Sequence, residues 1–180
     1  MKRTITVFGL IAGVILAAFL FISMPMMDHA DPDSLAISMF VNYTVQFLTF
    51  SLIFFAIRQY RDKYNNGIIT FGKGFRIGLG ISLIGSLFYI LAWAIIYTTI
   101  LPDFMDTYGR VMTEAAIKKG ASAAEIAEIQ QEVADGKAMY STWYGFAGIT
   151  LMEIFPTGLI VSLISALILK RNGKKAVQMA

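Results

Sequence analysis

The sequence contains no cysteine and a single histidine. The missing cysteines exclude disulfides, thiolate metal sites and cysteine nucleophiles. His29 is the only side chain that could act as the base of a Ser-His-Asp triad, and it lies in a short segment rich in Asp and Pro. We therefore expect a protein that is not an enzyme and holds no cofactor, although chemistry based on carboxylates alone or on lipid stays open.

Charged residues are also scarce. They make up 15% of the chain, against about 25% in typical soluble domains, and the mean hydropathy is +0.65. Four stretches carry no charged residue other than Glu153: 4–27, 34–57, 77–101 and 138–169. Each stretch supplies the roughly 20 residues that a helix needs to cross about 30 Å of hydrocarbon. The sequence thus predicts one membrane domain, residues 1–180, that is an all-α bundle of four transmembrane helices at about 5–24, 35–57, 77–101 and 145–169.

The segments between these stretches differ in charge. Eleven of the 15 basic residues lie at the two termini and in 58–76, whereas ten of the 12 acidic residues lie in 25–33 and 102–137. Basic residues concentrate on the cytoplasmic side of membrane proteins. We therefore predict that both termini and the segment 58–76 are cytoplasmic, and that 102–137 lies outside.

The segment after the third stretch predicts an extracytoplasmic helical hairpin over 103–136. Gly120 follows the first helix at a C-cap position. Ser122 and Glu125 have the spacing of a capping box at the start of the second helix. The hairpin is interpreted as a lid over the bundle or as a docking surface for a partner.

Glu153 is the one ionisable residue inside a predicted span, and such residues are functional candidates by default. Counted along ideal helices, Glu153 lies roughly 24 Å from the inner boundary, Asn42 about 22 Å and Trp93 about 24 Å, with Tyr89 somewhat lower. Gln46 shares a helix face with Asn42. We predict that these five side chains form a polar pocket that opens outward beneath the hairpin. The alternative is a structural acid that bonds to Asn42 or Tyr89 and binds nothing.

The segment 58–76 is predicted to be a loop between the second and third spans that contacts anionic lipid head groups, with about 1 kcal/mol of attraction for each basic residue. The candidate residues are Arg58, Arg61, Lys63, Lys73 and Arg76. The same segment nearly matches a phosphate-binding loop between Gly67 and Gly74. Because Gly74 replaces the required hydroxyl and no strand precedes the loop, nucleotide binding is not expected.

Small residues four positions apart mark one face of three spans: Gly9 and Gly13, Gly78 and Ser82, Gly158 and Ser162. This spacing lets helices approach closely in lipid. It indicates packing within the bundle or, as the alternative, a homodimer interface.

A group of thioether and imidazole side chains, Met24, Met26, Met27 and His29, has the ligand chemistry that suits copper. Methionine is an ordinary apolar residue in a chain that contains ten of them. No metal site is therefore predicted.

Several motifs together resemble a known family. They are Ser51–Arg58 continuing into Tyr60–Gly67, Phe71–Leu79, Leu101–Phe104, and Glu153–Pro156 followed by Leu169–Arg171. This combination resembles the bacterial membrane family known as domain of unknown function 4199. The resemblance implies a multi-pass protein of the bacterial inner membrane with the topology above, and it implies no activity.

The leading interpretation is a non-enzymatic integral membrane protein that binds a lipid or a partner in the bacterial envelope. The alternative is a small transporter or ion-coupled channel that uses Glu153, and a weaker third is an enzyme acting on lipid. The expected partners are membrane lipids and either a second copy of the chain or another membrane protein. Nucleic acid is not expected.

Overall fold

The computed structural model of the protein describes residues 1–24 and 32–171, and within 32–36 the backbone alone. Met26, Met27 and His29, which were considered above as metal ligands, lie outside the described residues. The described chain is helical, and its elements are α1 (Lys2–Ser23), α2 (Pro32–Phe50), α3 (Leu52–Tyr64), α4 (Phe71–Thr99), α5 (Phe104–Lys118), α6 (Ala123–Tyr140) and α7 (Trp143–Leu169).

Among the described residues, four helical stretches are long and apolar enough to cross a membrane, which confirms the predicted number. Three of them are the single helices α1, α4 and α7. The fourth is the continuous stretch Ile37–Tyr64, to which α2 and α3 both contribute. The junction of α2 and α3 is Ser51, whose hydroxyl donates a 2.6 Å hydrogen bond to the carbonyl oxygen of Leu48. A side-chain bond of this kind to the preceding turn bends helices.

Helix α4 lies at the centre of the bundle, between α1 and α7. Close approach on the α1 side depends on glycine, because a Cβ atom on Gly13 would lie 2.6 Å from Cγ of Phe88. On the α7 side, the hydroxyls of Ser82 and Ser162 are 3.1 Å apart. A Cβ atom on Gly158 would lie 2.6 Å from the hydroxyl oxygen of Ser82. The small-residue faces therefore pack against other helices of the same chain.

The bundle buries an aliphatic and aromatic core and exposes apolar side chains outward. Leu16, Phe50 and Ile154 are fully buried at its centre. On the outer faces, Val14 is 57% exposed and Ile168 is 65% exposed. An apolar exterior of this extent marks a surface that contacts lipid or another protein.

The segment that follows α4 forms a helical hairpin of α5 and α6. Gly120 closes α5 with a φ angle of +79°, and Ser122 and Glu125 form the predicted capping box at the start of α6. The ammonium group of Lys137 on α6 lies 2.6 Å from the carboxyl group of Asp106 on α5. Helix α6 runs through Gly136 to Tyr140, four residues beyond the predicted end of the hairpin.

At the opposite end, the connection between α3 and α4 is tied to the end of α7. Ile69 and Arg171 exchange backbone hydrogen bonds of 3.2 and 2.9 Å. Helix α4 begins at Phe71, because the Thr70 hydroxyl accepts a hydrogen bond from the backbone N–H of Lys73. Residues 71–76, which were predicted as loop, therefore belong to the helix.

Candidate functional site

Three helices meet at the carboxyl group of Glu153. The hydroxyl of Tyr89 on α4 donates a 2.7 Å hydrogen bond to its Oε1 atom. The side-chain amide of Asn42 on α2 donates a 3.1 Å hydrogen bond to the same atom. Both donors are neutral groups. The structure thus brings together three of the five side chains that were predicted to form the pocket.

Gln46 lies one helical turn away from this cluster. Its Oε1 atom accepts a 3.2 Å hydrogen bond from the hydroxyl of Thr157 on α7. Asn42 and Gln46 on α2, and Glu153 and Thr157 on α7, are each four residues apart, so the two helices are joined by two successive polar pairs. Gln46 is only 1% exposed and belongs to the second pair, away from Glu153.

Above the Glu153 cluster lies a cavity of about 820 Å³, lined by residues of α1, α2, α4, α5, α6 and α7. The hairpin forms one of its walls through Met105 and Tyr108 of α5 and Val133 of α6. Its size lies within the range of about 300–1,000 Å³ that small-molecule sites occupy. The cavity therefore has room for a small ligand.

The wall of the cavity is mostly apolar, as its α1 and α2 residues Phe19, Leu20, Ile37 and Met39 illustrate. Asn42, Tyr89 and Glu153 lie together in this wall and form its main polar patch. A cavity of this composition suits a ligand with a large apolar part and a small polar group.

Aromatic side chains surround the polar patch. Trp93, the fifth predicted pocket residue, lines the cavity and is 5% exposed. Its ring meets that of Phe104 edge to face, with 4.8 Å between the centroids. Phe104, Tyr108 and Tyr140 come from the hairpin and line the same cavity. Aromatic residues of the hairpin thus complete the site that the spans begin.

The described lining residues include two carboxyl groups, Glu153 and Glu132, and no lysine, arginine or histidine. Burial raises the pKa of Tyr108 above its ordinary value, and the nearby charge of Glu132 adds to this shift. The Tyr108 hydroxyl therefore stays neutral at physiological pH. Any charge that these lining residues bring to the cavity is negative.

Sequence reasoning missed the contribution of the hairpin to this site. Phe104 and Tyr108 are spaced four apart on α5, and Glu132 and Gly136 are spaced four apart on α6; all four line the cavity. That spacing marks a helix face. It could have been recognised, but nothing in the sequence states which part of the bundle the hairpin covers.

The predicted lipid-contact residues lie at the other end of the bundle. Arg61, Lys73 and Arg58 make contacts within the chain. Arg61 bonds to Asp62 at 2.7 Å and to the carbonyl oxygen of Leu169 at 3.4 Å. Lys73 donates a 2.9 Å hydrogen bond to Asn65.

Arg58 is 3.8 Å from Asp62 and remains largely exposed. Lys63 and Arg76 are exposed as well. Arg58, Lys63 and Arg76 are therefore the three of this set that remain exposed.

For a metal ion, the described residues contain no group of three or more His, Cys, Asp or Glu side chains that could hold one. Met24, from the methionine and histidine group for which no metal site was predicted, lies at the end of α1 and lines the cavity with an apolar side chain.

The fold and the site together describe an all-helical protein with four apolar helices of membrane-spanning length and an acid-containing cavity. The model of a family described as "Protein of unknown function (DUF4199)" matches residues 7–171. The chain belongs to this family. No curated protein and no solved structure matches the chain.

Proposed function

We propose that this is a non-enzymatic integral protein of the bacterial inner membrane that binds a lipid-like molecule in the cavity beneath the hairpin. In this proposal both termini and the α3–α4 connection are cytoplasmic, and the α5–α6 hairpin is extracytoplasmic. The cavity carries the proposal, because it combines a volume of about 820 Å³ with apolar walls and one polar patch. An amphiphile presents the matching surface: an apolar body with a single polar end.

The orientation follows from the charge distribution. The α3–α4 end displays Arg58, Lys63 and Arg76 on its surface, whereas the hairpin end is acidic overall. This asymmetry favours a cytoplasmic α3–α4 connection. The hairpin then covers the bundle from outside, and the cavity lies in the outer half of the membrane.

The absence of native cysteine makes the orientation simple to test. Lys63→Cys on α3 and Gln130→Cys on α6 introduce one thiol each at exposed positions. In intact spheroplasts a membrane-impermeant maleimide should label Gln130→Cys, and it should label Lys63→Cys only after lysis. The reverse pattern would invert the proposed topology.

Binding can be followed through Trp93, because the chain has only two tryptophans and the other, Trp143, is 83% exposed. In a Trp143→Phe background all tryptophan fluorescence comes from the cavity wall. Brominated acyl chains quench tryptophan by contact. In nanodiscs of brominated phosphatidylcholine, we expect Trp93 to be quenched even though it is buried in the protein.

A cavity-filling variant makes this test specific. Ile129→Phe combined with Ile149→Phe adds bulk at two lining positions and should reduce the quenching. Ala127→Phe, on an exposed face of α6, is the matched control and should leave the quenching unchanged. If Trp93 is unquenched in the parent protein, or if the filled variant is quenched equally, acyl chains do not enter the cavity and the binding proposal fails.

A second candidate function is ion-coupled transport through Glu153. It is favoured by the location of this carboxyl group inside a span and on the cavity wall, since ionisable residues at such places mark ion and proton pathways. Proteoliposomes loaded with a pH-sensitive dye test it directly. Proton flux that Glu153→Gln abolishes would favour transport, and equal leak in the two proteins would exclude it.

A further inference from the structure

We propose that the cavity selects amphiphilic organic cations, molecules with an amine or quaternary ammonium head and an apolar body. This inference rests on the proposed function, the binding of a lipid-like molecule in the same cavity. It adds the chemistry of the head group.

The first support is the uncompensated charge of the site. Glu153 receives its described hydrogen bonds from Tyr89 and Asn42, and both donors are neutral. Glu132 adds a second carboxylate on the hairpin side, and no basic side chain belongs to the described lining. The half-buried Glu153 and the exposed Glu132 place carboxyl groups on the cavity wall, which favours a cationic ligand and disfavours a phosphate or carboxylate head.

The aromatic composition of the wall is the second support. Trp93, Phe104, Tyr108 and Tyr140 line the cavity together with Tyr89, which contacts Glu153. The faces of aromatic rings attract cations, and rings grouped around one position recognise quaternary ammonium groups. The aromatic rings and Glu153 therefore both favour a positively charged ligand.

The field around the cavity has the same sign. The segment 102–137, which contains the hairpin, holds seven acidic and four basic residues. One of these four, Lys137, is paired with Asp106. A surface with excess negative charge raises the local concentration of cations and speeds their association.

The experiment uses displacement of brominated lipid from the cavity in the Trp143→Phe background. Three probes share one alkyl chain and differ only in head group: dodecyltrimethylammonium, dodecanol and dodecyl sulfate. Each is added to nanodiscs of brominated phosphatidylcholine, and recovery of Trp93 fluorescence is compared at equal amounts bound to the bilayer. We expect the cation to restore fluorescence at a concentration at least about tenfold lower than the other two.

Variants connect the selectivity to its residues. Glu153→Gln keeps a carbonyl oxygen that can accept the hydrogen bonds of Tyr89 and Asn42, so it retains the fold while removing the charge. It should abolish most of the preference for the cation. Glu128→Gln removes an exposed carboxylate on the same helix as Glu132 but outside the cavity, and should change nothing. Tyr108→Leu should weaken the cation response, and Tyr108→Phe should preserve it.

The outcomes separate this inference from the proposed function. Equal displacement by the three probes, with no effect of Glu153→Gln, would overturn cation selectivity and leave the binding of apolar molecules intact. A preference for dodecyl sulfate would overturn it as well. If Trp93 is not quenched by brominated lipid in the first place, the proposed function fails and the inference falls with it.

Discussion

The hydroxyl of Tyr89 and the carboxyl group of Glu153 join α4 to α7 through a 2.7 Å hydrogen bond inside the bundle. Asn42 donates to the same oxygen atom and thereby adds α2 to the contact. A single acceptor atom thus fixes the relative position of three helices at the wall of the cavity. Because the contact is both structural and exposed to the cavity, variants are needed that separate the two roles.

Tyr89→Phe tests the structural role. It removes the hydroxyl donor and keeps the ring, so the bundle should lose about 0.6 kcal/mol, the average for hydrogen bonds between membrane helices, and at most about 1.7 kcal/mol. The free energy of unfolding can be measured by titration with sodium dodecyl sulfate in mixed micelles. Tyr144→Phe, at a site that is 65% exposed on α7, is the control and should be neutral. Equal stability of the two variants would show that the hydrogen bond between Tyr89 and Glu153 does not stabilise the bundle.

Gly158→Ala tests the contact between α4 and α7. The added methyl group would lie 2.6 Å from the Ser82 hydroxyl oxygen and 3.1 Å from the Phe50 ring, so the helices must separate. Overpacking of this kind destabilises by about 1–3 kcal/mol.

A second glycine of the same helix provides the matched control. Gly148→Ala adds a methyl group that meets no atom within 4 Å. It should leave the stability unchanged or raise it by up to about 1 kcal/mol, because alanine favours helix. The same mixed-micelle titration compares the two variants, and similar stability would contradict the close packing of α4 on α7.

The sequence allowed the helices and the polar pairs to be predicted because both depend on local pattern. Stretches without charge marked the four apolar helices, and the four-residue spacing of Asn42 and Gln46 placed both on one face of α2. The same spacing could not show that they have different partners. Four residues advance a helix by about 6 Å, so Gln46 meets Thr157 instead of Glu153.

Two features depended on information that charge and spacing do not carry. The charges of Lys73 and Arg76 suggested that these residues lie in a loop. Charge marks only where the hydrocarbon ends, and a helix can continue beyond that edge. Here α4 begins earlier, at its N-cap Thr70. Likewise, the cavity exists because the hairpin covers the polar patch without filling the space beneath it. Its shape results from tertiary packing between helices that are distant in sequence, and no local pattern specifies it.

The start of α6 should respond to pH. Glu125 accepts hydrogen bonds from the backbone N–H and the hydroxyl of Ser122, and these bonds lower its pKa below the usual value. Because the folded-state pKa lies below the unfolded one, the stabilisation is present above the unfolded value and is lost as the pH falls through the folded value. The first turn of α6 should therefore lose protection at acidic pH.

Hydrogen–deuterium exchange of residues 121–130, corrected for the intrinsic dependence on pH, measures this effect. Ser122→Ala should raise exchange roughly fivefold at neutral pH, and it should reduce the acid dependence only in part, because the backbone N–H of residue 122 can still donate to Glu125. Glu128→Gln, an exposed change in the same helix, should retain both. Glu125→Gln removes the titrating group, so an acid dependence that persists in this variant would assign the effect to other groups.

Gln46→Leu tests whether the pair Gln46 and Thr157 contributes to stability alone or also to ligand binding in the cavity. Gln46 is 99% buried, and its Nε2 atom has no hydrogen-bond partner within the described residues, so the amide contributes only its bond with Thr157. Replacing both partners, as in Gln46→Leu combined with Thr157→Val, should change the stability by less than about 1 kcal/mol, because removing a hydrogen-bonded pair together is nearly neutral.

The same variants should leave the cavity unaffected, since neither Gln46 nor Thr157 lines it. Quenching of Trp93 by brominated lipid should therefore equal that of the parent protein, whereas Glu153→Gln alters the response to charged probes. If Gln46→Leu changed ligand selectivity as strongly as Glu153→Gln, the polar patch would extend deeper into the bundle than the cavity does. The two polar pairs would then act as one site, as the face shared by Asn42 and Gln46 first predicted.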